Sequence, residues 1–210
     1  MTARADFAHA LPDGVDDLAG APLLCGGAIG YRSLHVAGVD LADCGGLRLG
    51  LYGFGASATI VIQVAVHAGA QVYVATRSPA ERAAALSFGA VWAGGYGVAP
   101  EALDAAITFA PSGDVVVAAL RAVGRGGVVA INAIHLDRIP EFDYDLLWGE
   151  RQLRSVANVT RADVGEFLAL AAAIPIRTRT EVFALTEANE ALARLHAGQI
   201  HGAAVLQMPG

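Results

Sequence analysis

Gly53, Gly55 and Ala58 stand at the spacing G-x-G-x-x-A. A main chain that must bend sharply and then admit two linked phosphates needs small residues at those places. Gly53 permits the bend, Gly55 lets the backbone approach a pyrophosphate, and Ala58 lets the following helix lie close on its strand. Phe54, Ala56 and Ser57 complete the turn. The N–H groups that open the helix have no partner within it and attract anions. Further on, Thr76-Arg77-Ser78 occupies the place where a site for a free ribose hydroxyl carries Asp or Glu. Without a carboxylate there, a 2′-phosphate is not repelled. Arg77 supplies charge and a planar face for adenine, and the hydroxyls of Thr76 and Ser78 can bond the phosphate. On the competing reading Ser78 merely caps a helix and Arg77 points to solvent. The residues favour NADP(H) over NAD(H).

Glycine-rich turns are common, so the flanks decide. Residues 47–52 are a short apolar run, and residues 56–67 are rich enough in Ala, Val and Ile for a buried helix. Residues 71–76 return as a β-branched, aromatic strand. This is the strand–turn–helix–strand context a dinucleotide turn requires. No Asp, Glu, Lys or Arg lies between Arg48 and Arg77, a stretch longer than the roughly 20 residues of a membrane span. Gly50, Gly53, Gly55, Gln63, His67 and Gln71 inside it argue against a span. A parallel strand and a helix buried against a sheet have the same hydropathy.

The rest of the chain repeats the rhythm. Ser78-Pro79-Ala80-Glu81 reads as a capping box, with a helix that stops at Gly89. A short strand over 91–93, a loop at Gly94, Gly95 and Gly97, and a buried strand over 103–109 follow. A helix through Val123, a turn at Gly124-Arg125-Gly126-Gly127 and strands over 128–132 and 154–159 come next. Thr160-Arg161-Ala162-Asp163 caps a helix that runs to Ala173. Strands alternating with helices of a dozen residues imply an α/β fold with a doubly wound parallel sheet. The ends differ. Residues 3–11 alternate like a strand until Pro12-Asp13-Gly14, and residues 16–36 look helical. Strand-like 178–184, a helix over 186–197 and a strand over 203–208 close the chain without a further strand–helix–strand unit.

With 210 residues, 55% of them hydrophobic, the chain has room for one large domain or one domain and part of another. A net charge of −6 without a basic cluster argues against nucleic acid and acidic membranes. Cys25 and Cys44 are too few for a disulfide scaffold or a four-cysteine zinc site. The opening residues lack the apolar core of a signal peptide, so a soluble cytoplasmic protein is expected.

Four segments carry a resemblance. They are Pro22-Leu23-Leu24-Cys25-Gly26-Gly27, the turn over 50–58, the return at Arg125-Gly126-Gly127, and the close over 198–206. Together, in this order, they resemble the zinc-dependent alcohol dehydrogenases of the medium-chain dehydrogenase/reductase superfamily. The resemblance covers the whole chain. It implies a nucleotide-binding Rossmann domain over 21–160, the end of a GroES-like catalytic lobe over 1–20, and a last Rossmann helix with a return to that lobe over 161–210. It implies hydride transfer between an alcohol or aldehyde and NAD(P), beside a zinc that favours the alkoxide. Family members associate through the nucleotide domain, so a homo-oligomer is an expectation.

By resemblance, Phe109 and Ala110 border the adenosine and the nicotinamide ribose, and Ile131, Asn132 and Ala133 lie along the nicotinamide. Arg161 stands where relatives carry a pyrophosphate-binding arginine, or is a surface charge at a helix start. Cys25 matches one zinc ligand of the family; read alone, it is a small buried hydrophobe. The family's other ligands precede a segment like Arg4-Ala5-Asp6-Phe7, and a catalytic zinc takes three protein ligands plus water. One thiolate should hold zinc weakly or not at all. A threonine that relatives place four residues after the cysteine is Ile29 here. The six histidines show no metal-binding spacing. Three functions stand open: an alcohol dehydrogenase represented by its cofactor-binding part, an inactive nucleotide-binding module, and a subunit completed by another polypeptide. Without a covering lobe, the surface around Phe7, Leu23, Leu24 and Ile29 should be exposed.

Overall fold

The computed structural model describes residues 2, 4–97, 99–136 and 138–209. Its elements follow the hydrophobic periodicity closely. Helix α1 (Asp17–Pro22) is capped by Asp16, whose Oδ1 accepts from the N–H groups of Leu18 and Ala19 at 2.9 and 3.0 Å. A π turn at Leu23–Gly27 joins it to α2 (Ala28–Val36). The helix expected over 16–36 is therefore three pieces. Strand β1 (Arg48–Tyr52), α3 (Ala56–His67) and β2 (Gln71–Ala75) form the first strand–helix–strand unit. Then come α4 (Pro79–Ser87), β3 (Trp92–Gly94), β4 (Leu103–Thr108), α5 (Gly113–Ala122), β5 (Val123–Ile131) and β6 (Gln152–Ser155). Helix α6 (Arg161–Ala173), β7 (Thr180–Ala184), α7 (Ala188–His196) and β8 (Ala203–Gln207) complete the chain.

Six strands pair in the order β3-β2-β1-β4-β5-β6, all parallel. Side chains alternate across the sheet, so each strand feeds two cores. Leu49 and Leu51 of β1, with Val72 and Val74 of β2, pack under α3 among Ile60, Ile62 and Val64. Tyr52 and Tyr73 face the other way, toward Val115, Ala119 and Leu120 of α5. Helices thus lie on both faces, a doubly wound arrangement. Helix α3 is apolar around most of its circumference because α2 packs against it on the side away from the sheet, through Gly30 and Val61. That explains the long uncharged stretch. Among the described residues no helix is long and apolar enough to cross a membrane.

Four details depart from expectation. Residues 4–11 form a short 3-10 turn at Ala5–Phe7 and no strand, because nothing in either sheet pairs with them; Ala3 lies outside the described residues. The turn expected at 124–127 is a bulge inside β5, where the register jumps from Leu103↔Val123 to Ala105↔Val128. Strand β6 starts at Gln152 and ends at Ser155, ahead of the predicted 154–159. Finally, β7 and β8 pair in parallel across α7, so the chain does end on a further strand–helix–strand unit. This small sheet lies beside α1.

Candidate functional site

The chain leaves β1 at Tyr52, and the site is built at that point. The Tyr52 carbonyl accepts from the N–H groups of Phe109 and Ala110 at 2.8 and 3.1 Å, while the Gly53 N–H donates to the Ala75 carbonyl at 2.8 Å. Gly53 is pinned between the ends of β2 and β4 with φ at +95°. A Cβ there would stand 2.9 Å from the Ala110 nitrogen. Only glycine combines that dihedral with that closeness. Gly55 is different. Its φ of −92° is open to any residue, and a Cβ on it would meet nothing within 4 Å. It is the N-cap of α3 but brings no side chain, so no side chain caps the helix. The N–H groups of the first turn, at Ala56, Ser57 and Ala58, therefore lack intrahelical acceptors and open on free space.

That space is a cleft of about 570 Å³ outside the carboxyl ends of the strands. It lies where the sheet order reverses, with β2 on one side of β1 and β4 on the other. Open α/β sheets bind ligands at such a switch point. The six residues from Gly53 to Ala58 form its floor. Thr76, Arg77 and Ser78 form one end with Glu81 and Tyr96, and Phe109, Ala110, Asn132 and Ile134 form the other. Cys25, Gly26 and Ile29 border it from the π turn and α2.

These last residues come close because glycines remove what would hold them away. A Cβ on Gly26 would stand 3.1 Å from Ser57 Oγ, one on Gly27 would stand 2.5 Å from Phe167, and one on Gly30 would stand 2.5 Å from Val61. The Cys25-Gly26-Gly27 segment is thereby laid on α3 beside the phosphate floor. Cys25 is exposed. Of the surface expected to be bare, Phe7 and Leu24 are exposed and Ile29 half-buried, but Leu23 is only 3% exposed. The π turn rotates Leu23 inward, into the core beneath α3.

The end at Thr76 differs from its sequence reading. Ser78 caps α4, its Oγ accepting from the Glu81 N–H at 3.3 Å. The Glu81 carboxylate does not close the capping box. It accepts instead from the Thr76 hydroxyl, which is therefore not free to donate to a phosphate. Arg82 donates to the carbonyls of Thr76 and Arg77 at 2.8 and 3.2 Å. Tyr96 stands over this end, and burial raises its phenol above the ordinary value while Arg77 pulls it back. At the other end the Asn132 N–H donates to the Thr108 carbonyl at 2.9 Å. Asn132 Nδ2 and Thr108 Oγ1 are buried without a hydrogen-bond partner among the described residues.

Of the residues expected at a cofactor site, all but three line the cleft. Ile131 and Ala133 flank Asn132 but stay out of the wall, and Arg161 is an exposed residue at the start of α6. Glu81, Tyr96 and Ile134 were not anticipated; Glu81 was legible only as a helix-capping residue. No His, and no acid beside Cys25, joins the thiol: among the described residues no group of three or more His, Cys, Asp or Glu could hold a metal. His35 instead pairs with the buried Asp163 at 3.1 Å. The residues present do not fit a catalytic zinc.

No protein-family model matches the chain. It is 50% identical over 207 residues to a probable alcohol dehydrogenase, AdhA, of Mycobacterium tuberculosis, covering 98% of this chain and 59% of that protein. Its fold resembles a cinnamyl alcohol dehydrogenase of Sorghum bicolor with a TM-score of 0.83 at 21% identity, over 97% of this chain and 58% of that one. It also resembles CAD of Helicobacter pylori, solved with NADP(H), with a TM-score of 0.81 at 20% identity, over 93% and 56% of the two chains. The chain thus spans about three-fifths of the length of the curated relatives it matches. The chain is thus similar in sequence, over 98% of its own length, to a probable alcohol dehydrogenase, and it shares its fold with the two solved proteins.

Proposed function

We propose that this chain is the nicotinamide-dinucleotide-binding part of an alcohol dehydrogenase, and that the cleft over Gly53 to Ala58 holds the cofactor. One observation carries the reading: an uncapped helix N-terminus faces open space behind Gly55, at the sheet's switch point. The pyrophosphate then lies on the N–H groups of Ala56, Ser57 and Ala58. Arg77 takes the adenosine end, with Ser78 beside it. Phe109, Ala110 and Asn132 border the nicotinamide end, where Asn132 Nδ2 is a buried donor in want of an acceptor. Ile131 and Ala133 contribute by placing Asn132 between them, while Arg161 lies outside the cleft wall. Bound there, the nicotinamide ring accepts or delivers the hydride of alcohol–aldehyde interconversion. The chain's own residues anchor and orient the cofactor and keep one face of the ring dry with Ile29 and Ile134.

The cofactor favoured is NADP(H), because the Arg77 guanidinium makes no hydrogen bond or ion pair among the described residues and no carboxylate ends β2. Cys25 descends from a zinc ligand of the family, but lacks the partners a zinc needs. Segment 1–20 belongs to the end of a catalytic lobe, 21–160 to the nucleotide domain, and 161–210 to a last Rossmann helix and the return to that lobe. On this division the 210 residues bind the dinucleotide and do not by themselves turn over alcohol. Purified chain would be titrated with NADPH and NADH by fluorescence, and then assayed with a panel of primary alcohols and aldehydes in added zinc. Binding without turnover is the expected result. Failure to bind either nucleotide would overturn the reading.

A further inference from the structure

The adenosine end of the cleft holds two side chains of opposite charge, and only one was expected there. Arg77 is exposed, and its guanidinium makes no hydrogen bond or ion pair among the described residues. Glu81, one turn into α4, also lines the cleft. Its Oε2 accepts from the Thr76 hydroxyl, and its Oε1 has no hydrogen-bond partner among the described residues. Thr76 is 3% exposed, just past the end of β2, and its hydroxyl holds the carboxylate against the cleft wall. Arg82 forms no ion pair with Glu81; its Nε and one terminal nitrogen donate to the carbonyls of Thr76 and Arg77. No other cation forms an ion pair with Glu81 among the described residues. A dinucleotide whose pyrophosphate lies over Gly55 brings its adenosine ribose toward the end of β2. There the ribose meets Arg77 and the unengaged oxygen of Glu81 together.

We infer that Glu81 is the residue that restrains the preference of this cleft for a 2′-phosphate. An acid absent from the end of β2 is restored from the next helix. Its free oxygen accepts from a ribose hydroxyl and repels a phosphate in the same place, against the pull of Arg77. The inference rests on the proposed nucleotide cleft and deepens it. It makes NAD(H) a real competitor of NADP(H), with a narrow margin set by two charges.

The adenosine end is tested separately from the nicotinamide end by titrating the 210-residue chain with 2′,5′-ADP and with 5′-AMP in a calorimeter, for the wild type, Glu81→Gln and Arg77→Ala. Glu81→Gln removes the charge and leaves an amide able to accept from Thr76. It should tighten 2′,5′-ADP by about tenfold, the size of one partly screened charge pair, while 5′-AMP stays the same or weakens. Arg77→Ala should weaken 2′,5′-ADP by a similar factor and 5′-AMP by less, since 5′-AMP loses the adenine contact alone. A carboxylate that merely braces α4 would move both ligands alike, so an unchanged ratio in Glu81→Gln overturns the inference while leaving the nucleotide cleft standing. Absence of binding by either nucleotide in the wild type overturns both.

Discussion

The Ala110 nitrogen lies 2.9 Å from the point where a β-carbon on Gly53 would stand. That distance welds the turn after β1 to the turn after β4, the two edges of the sheet's switch point. A Gly53→Ala chain must leave φ +95° or push the Ala110 loop away. Either route costs about 2 kcal/mol or more, by the usual size of left-handed strain plus a backbone clash. Thermal unfolding should show a melting point lower by several degrees. An unchanged melting point would mean that the turn is not built as described.

Gly55 offers the contrasting case. With an ordinary φ and empty space beyond its Cα, Gly55→Ala should fold and melt within about 1 kcal/mol of the wild type. It should nevertheless weaken NADPH by about tenfold or more, because the added methyl occupies the place of the phosphates. Stability and binding measured on the same preparation separate the two roles. Normal binding by a normally folded Gly55→Ala would place the pyrophosphate elsewhere.

The glycines of α2 are packing devices. Gly30→Ala would drive a methyl to 2.5 Å from Val61 Cγ2, between α2 and α3. An overpacked contact of this kind costs about 1–3 kcal/mol. The pair Gly30→Ala with Val61→Ala should recover part of the loss in a denaturant titration. Simple additivity of the two losses would show that the helices do not touch there.

Asp163 supplies a pH dependence. Burial raises the pKa of its carboxyl, but the Thr160 hydroxyl and N–H, His35 and Arg32 outweigh burial and hold it below the usual value. A carboxyl depressed in the folded state stabilises it above the unfolded pKa of about 3.9, and that stability is lost as pH falls through the lower folded value. Asp163→Asn should therefore cost about 1–3 kcal/mol at neutral pH, and the gap from wild type should narrow below about pH 4. Melting curves from pH 7 to pH 3 would read this directly. A gap that stays constant would show that the charge on Asp163 does not matter.

Glu150 is the sole non-glycine residue with positive φ among those described, at +64°. It follows Gly149, whose carbonyl accepts from the Gly126 N–H in the β5 bulge at 2.8 Å. Glu150→Gly should remove strain and raise stability by up to about 1 kcal/mol, offset in part by the freer unfolded chain. A destabilised variant would indicate that the Glu150 side chain has a structural role the backbone does not reveal.

Much of this molecule was legible in one dimension. The spacing of Gly53, Gly55 and Ala58 inside an apolar strand–helix–strand run determined the turn, because only small residues satisfy a sharp bend, a phosphate approach and a close helix together. Thr160 and Asp163 marked the start of α6, since a capping box is a local bond pattern readable over four residues. Where local signals compete, only the tertiary structure decided. Ser78 and Glu81 have the same capping spelling, but the buried Thr76 hydroxyl draws the Glu81 carboxylate into the cleft. Leu23 looked exposed beside Leu24 until a π turn shifted its angle around the helix, and β7 and β8 became partners across α7 although far apart in sequence. Neighbours along a chain set dihedral preferences. Which charge ends beside which hydroxyl depends on contacts between distant segments, and those exist only once the sheet has closed its order.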